Sequence, residues 1–88
     1  MRDTTVRQDR VPRNWDALST DCNMKIDAVK SVVDNGSKSV GMALFVAFLN
    51  GRTYASLSEE NGMTVYAVRT AVKKAYSSVR HACSATTR

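Results

Sequence analysis

Residues Thr53–Arg80 read TYASLSEENGMTVYAVRTAVKKAYSSVR, and the fold is decided by how this stretch is divided. Asn61-Gly62-Met63 is turn chemistry. Gly62 adopts the left-handed backbone that ends a helix at no steric cost, Asn61 tolerates neighbouring strain, and Met63 offers the turn an apolar anchor. Before the turn, residues 54–60 form a short helix. After it, Thr64 is a good N-cap, because its hydroxyl accepts an amide hydrogen that the first helical turn leaves unbonded. Val65, Val68, Ala71, Val72, Ala75 and Val79 then recur near the helical period, which predicts a second helix over 65–80. Two helices joined by a three-residue turn containing glycine make the pattern of a helix-turn-helix, whose second helix enters the major groove of DNA. In that geometry Leu57, Met63, Val68 and Ala71 face inward, and the small Ser58 lets the helices approach.

Charge is distributed unevenly around this stretch. Residues 1–60 carry eight basic and eight acidic side chains and cancel, while no Asp or Glu follows Glu60. Arg69, Lys73, Lys74, Arg80 and Arg88 therefore account for the whole net charge of +5. A cationic face confined to one helix and its tail is an electrostatic footprint for phosphates. On the outward face, Thr64, Val65, Tyr66, Arg69 and Thr70 are the candidates to touch base edges. Arg69 leads them, since a guanidinium bonds guanine O6 and N7 together. Lys73, Lys74 and Arg80, with Thr53 and Tyr54 at the start of the first motif helix, are candidates for the DNA backbone, which sets position without reading sequence. For Lys74 and Arg80 a plain solvated face explains the charge equally well.

The chain outside this motif reads as its support. With 88 residues, 43% of them hydrophobic, it makes one small domain with a modest core, and oligomerisation is a natural further source of stability at this size. A single Pro and four Gly disfavour a turn-rich β fold, no apolar run approaches a membrane span, and the charged N-terminus is no secretory signal. A cytoplasmic location follows as the default. Residues 1–13 lack an apolar period and read as a flexible arm. Its Arg7, Arg10 and Arg13 have the chemistry to touch phosphates or a minor groove, but Asp3 and Asp9 offset them and favour a solvated tail. Trp15 and Leu18 open the core. A helix over 21–33 starts at Ser19-Thr20-Asp21, lines Met24, Ala28, Val29 and Val32 on one stripe, and ends at Asp34-Asn35-Gly36. Ser37 caps a helix over 38–49, apolar on most faces from Met42 onward and hence the most buried, with Gly41 marking a close crossing. Phe45 and Phe48 belong to the core rather than to base stacking. Asn50-Gly51 stops that helix. Tyr76 packs on the support helices, and residues 81–88 form a flexible tail. The expected fold is an all-α bundle with a helical domain over 14–80.

Catalytic and metal chemistry find little here. Cys22 and Cys83 are isolated, His81 is the sole histidine, and no four-ligand zinc set, carboxylate pair or phosphate loop is present. Both cysteines read as reduced thiols, with Cys83 close enough to the end to form an intermolecular disulfide in vitro. No cofactor is implied, and an enzyme is disfavoured.

Asn50-Gly51-Arg52, Ala55, Leu57, Gly62-Met63-Thr64, Ala67-Val68, Ala71-Val72 and Tyr76-Ser77-Ser78-Val79, in that order, resemble the TrfB-type, KorA-like plasmid transcriptional repressors. A weaker likeness runs back through Leu18-Ser19 and the helix before Gly36. More loosely, the pattern is similar to the promoter-reading region 4 of bacterial sigma factors. The resemblance implies a nucleoid- or plasmid-associated repressor or autoregulator that binds a palindromic operator in double-stranded DNA as a homodimer. RNA polymerase or a co-repressor is then a further candidate contact. That family has a dimerisation segment after its DNA-binding helices, to which residues 81–88 do not correspond, and Val65, Tyr66, Arg69 and Thr70 depart from its pattern. The alternative is an adaptor module that works through protein contacts with the transcription machinery.

Overall fold

The computed structural model describes residues 11–36 and 39–86, with side chains described as far as Ser84. The described residues form five α-helices and no strand: α1 Trp15–Cys22, α2 Ile26–Asn35, α3 Val40–Leu49, α4 Tyr54–Asn61 and α5 Val65–Thr86. None of them is long and apolar enough to cross a membrane. The arm expected over 1–13 lies outside the described residues except for its end. There, Pro12 is buried and Val11 packs against the core.

Two helices occupy the region of the one expected over 21–33: α1, which lies mostly before it and ends at Cys22, and α2, which begins at Ile26. Asn14 opens the first, its side-chain oxygen accepting the amide hydrogen of Ala17 at 2.8 Å. Asp16 sits in the first turn, where a carboxylate favours the helix dipole. Ser19-Thr20-Asp21, expected as a helix start, closes this helix instead: the Ser19 and Thr20 hydroxyls donate back to the Asp16 carbonyl. Asn23 then turns left-handed (φ 56°, ψ 45°), its amide bonding the Thr20 carbonyl while that of Met24 bonds Ser19. This is the double hydrogen bond of a Schellman ending, with Asn in place of the usual Gly. The buried stripe shifts accordingly. Val29 and Val33 are the buried residues of α2, and Ala28, expected among them, is exposed. Gly36 ends α2 as expected.

α3 is capped by Ser39, whose hydroxyl accepts from the Met42 amide at 3.2 Å; the expected cap, Ser37, lies outside the described residues. The helix buries Met42, Leu44, Phe45 and Leu49. A Cβ on Gly41 would stand 3.0 Å from the Ala71 carbonyl oxygen. The glycine thus lets α3 cross α5 with backbones nearly touching. α3 stops at Asn50, and Gly51 (φ 110°) turns the chain towards α4.

α5 extends further than expected. The tail predicted from residue 81 is helical through Thr86, because the apolar stripe does not end at Val79. Val68, Val72, Ala75, Tyr76, Val79 and Cys83 are all buried at helical spacing, so the last turns have a core to bind. Cys83 is 2% exposed, which places its thiol out of easy reach of a partner molecule and disfavours the intermolecular disulfide that a position near the chain end would allow. α5 packs against each of the other four helices. Phe45 meets Tyr76 with ring centroids 5.9 Å apart. The Tyr76 hydroxyl donates to Asp21 at 2.8 Å and accepts from Arg80 at 3.1 Å, tying α5 to α1.

Two predictions follow from this core. Leu57→Asp or Val68→Asp should abolish the cooperative thermal transition, because each side chain is at most 2% exposed and an unpaired carboxylate there has no compensation. Wild-type melting in either variant would show that these side chains are not core. The second concerns pH. Burial, and then the hydrogen bond to Cys83, push the Cys22 thiol from 9.0 up to about 12. Burial likewise raises Tyr54 and Tyr76 above 10.0. A folded value above the unfolded one stabilises fully below the unfolded value and is lost as pH rises through the folded one. The melting temperature should therefore fall as pH climbs from about 9 towards 12, and less steeply in Cys22→Ala. A melting temperature that rose over that interval would contradict the assignment.

Candidate functional site

The turn between α4 and α5 is built from local hydrogen bonds. Thr53 caps α4 by accepting the Ser56 amide at 3.1 Å. Gly62 closes it in the left-handed region (φ 62°, ψ 36°), with the Met63 amide returning to the Ser58 carbonyl. The Ser58 hydroxyl donates to the Met63 carbonyl and the Asn61 amide group to the Leu57 carbonyl. Met63 packs against the core. Thr64 starts α5 by accepting the Ala67 amide at 3.0 Å. Leu57 and Val68 are buried on the facing sides. The outward direction of α5 is therefore set by a turn with little freedom.

On that outward side the expected base-reading residues come together. Thr64, Val65, Tyr66, Arg69 and Thr70 are all exposed. Tyr66 is 76% exposed and Val65 43%. Tyr66, Thr70 and Lys73 fall at i, i+4 and i+7 and form one solvent-facing stripe, flanked by Lys74, which is also exposed. Arg69 lies to one side of the stripe, towards the start of α4. There Tyr54 is half-buried and stacks on Phe48, with centroids 4.6 Å apart and planes 4° from parallel. Burial raises the Tyr54 phenol, and the nearby charges of Arg69 and Arg13 act in the opposite direction.

Two expected contacts stand differently. The Thr53 oxygen is occupied as a helix cap, so it approaches a phosphate only with its hydroxyl hydrogen. Arg80 is set apart from the rest. It lies about 16 Å further along the helix than Arg69 at 1.5 Å per residue, and its guanidinium is drawn back onto the Tyr76 hydroxyl and ring. Arg80 serves the joint between α5 and α1. Arg13, which the sequence assigns to a solvated arm, is exposed beside buried Pro12, and its charge acts on Tyr54.

No family model, curated protein or solved structure matches this chain. The site's meaning is therefore carried by its own residues. Along α5, Arg69, Lys73, Lys74 and Arg80 stand without a carboxylate on the same helix. The ion pair between Arg52 and Glu60 belongs to α4 and the turn before it. Among the described residues no group of three or more His, Cys, Asp or Glu is placed to hold a metal ion. The arrangement offers an exposed aromatic, hydroxyls and cations that enter no ion pair among the described residues, all on one side of a helix.

Proposed function

We propose that this protein is a sequence-specific DNA-binding transcriptional repressor, in which α4, the Gly62 turn and α5 act as a helix-turn-helix. One observation carries the reading: the outward stripe of α5 joins an exposed Tyr66 to Thr70, Lys73 and Lys74 on a helix with no acidic residue. A helix about 10–12 Å across fits the major groove, which is about 12 Å wide. Val65, Tyr66 and Thr70 would face base edges and thymine methyl groups. Arg69 would reach a guanine from the flank. Lys73 and Lys74 would neutralise phosphates on either side. The likeness to TrfB-type repressors adds autoregulation of plasmid or mobile-element promoters, a palindromic operator, dimeric binding and a cytoplasmic setting.

A protein-contact module is the second reading, favoured by Val40, which is 65% exposed at the start of α3 and belongs to no cationic stripe. Selection of bound duplexes from random DNA separates the two. The repressor reading expects enrichment of one site with two-fold symmetry. Binding without any preferred site favours the protein-contact module.

On the selected site, Arg69→Ala should cost about 1–3 kcal/mol and relax preference at one base pair. Lys74→Ala should weaken selected and random duplexes alike, with a shallower dependence on salt. Equal loss on every sequence for Arg69→Ala would make Arg69 a phosphate contact and leave base reading to Val65, Tyr66 and Thr70.

A further inference from the structure

A second element brings a cation to the edge of this surface. Arg13 stands immediately before Asn14, the cap that starts α1. The Trp15 indole N–H donates to the Asn50 side-chain oxygen at 2.9 Å, which pins the start of α1 to the turn between α3 and α4. Four residues after Asn50, Tyr54 opens α4 with its ring clamped against Phe48. The chain leading into α1 is held as well, by buried Pro12 and half-buried Val11. The Trp15–Asn50 bond thereby brings the start of α1, and Arg13 just before it, to the side of the fold where α4 begins at Tyr54, and the charges of Arg69 and Arg13 both act on the Tyr54 phenol.

Among the described residues these groups have no partner for their polar ends. Arg13 and Arg69 are exposed and enter no ion pair among the described residues, where Arg52 and Glu60 pair with each other. The Tyr54 ring is held by stacking, while its hydroxyl makes no hydrogen bond among the described residues. Exposed Arg13 and Arg69, with no ion pair among the described residues, and the phenol of a rigidly stacked Tyr54 offer the chemistry that holds an anionic oxygen. A guanidinium grips phosphate oxygens through two parallel N–H bonds, and a tyrosine hydroxyl is a common donor to the DNA backbone.

We propose that Arg13 and the Tyr54 hydroxyl hold one phosphate of the strand bordering the groove that α5 enters, next to the base pair under Arg69. This rests on the DNA-binding reading and extends it from two helices to three: α1 contributes a grip that does not read sequence but sets the angle at which α5 lies. A phosphate held from α1 and α4 together fixes the rotation of α5 about its own axis, which backbone contacts along α5 alone leave loose.

The test is a set of anisotropy titrations with a labelled random-sequence duplex about two helical turns long, at salt from about 50 to 200 mM. Arg13→Gln should weaken binding and reduce the slope of log K against log salt by about 0.9, the contribution of one phosphate. Arg13→Lys should restore the slope. Tyr54→Phe keeps the stacking ring and removes only an uncharged donor, so it should lose affinity a few-fold at an unchanged slope. Thermal melting of each variant, expected at the wild-type temperature, separates lost contact from lost fold. A wild-type slope in Arg13→Gln, with the wild-type protein binding the duplex, would overturn the clamp and leave the DNA-binding reading standing. Absence of wild-type binding at the lowest salt would overturn both.

Discussion

Burial of a single stripe along α5 is the constraint on which everything else depends. Val68, Val72, Ala75, Tyr76, Val79 and Cys83 present one continuous apolar edge, and each of the other four helices packs on part of it. At about 25 cal/mol per Å² of apolar surface removed from water, this edge is the main source of cohesion available to so short a chain. It also explains the glycine at position 41. Without a Cβ there, α3, the most apolar helix, packs against the α5 backbone at Ala71 without crowding its carbonyl, and Phe45 meets Tyr76 across the same pair of helices.

The same stripe fixes what α5 turns outward. A helix that commits one side to the core has its opposite side determined by geometry. Here that opposite side carries Tyr66, Thr70, Lys73 and Lys74. Gly62 and Thr64 determine where the stripe begins, and the Asp21–Tyr76–Arg80 bridge holds the far half of the helix against α1. Packing and proposed recognition are thus two faces of one helix. A substitution that rotated α5 by a fraction of a turn to relieve the core would also misdirect the outward side chains.

The α4–α5 segment was legible in the sequence because its signals are local. Gly62 ends one helix, Thr64 caps the next, and Val68 and Val72 keep helical spacing, so its boundaries follow from short-range chemistry. The errors occurred where long-range packing decides. Ser19-Thr20-Asp21 resembles a helix start, yet Asn23 takes the left-handed position and Leu18 and Cys22 bury against the core. The local signals conflict there, since Asn14 and Asn23 also have capping chemistry, and burial of Leu18 and Cys22 decides between them. The last turns of α5 looked aperiodic because the stripe there rests on Cys83, whose burial depends on Cys22, about sixty residues earlier in the chain. The outward residues of the candidate site could be named from periodicity alone. Arg13 could not, since only the Trp15–Asn50 hydrogen bond and the buried Pro12 bring it towards Tyr54.

The proposed contact between the outward face of α5 and DNA can be seen residue by residue. The most direct measurement is amide chemical-shift mapping of isotope-labelled protein titrated with the duplex obtained by selection. The largest shifts should gather at Thr64–Lys74, with a second group at Thr53, Tyr54 and Arg13, while the exposed side of α2 at Asp27 and Asp34 stays unchanged. Shifts centred on Val40 and α2, with α5 unperturbed, would contradict that contact.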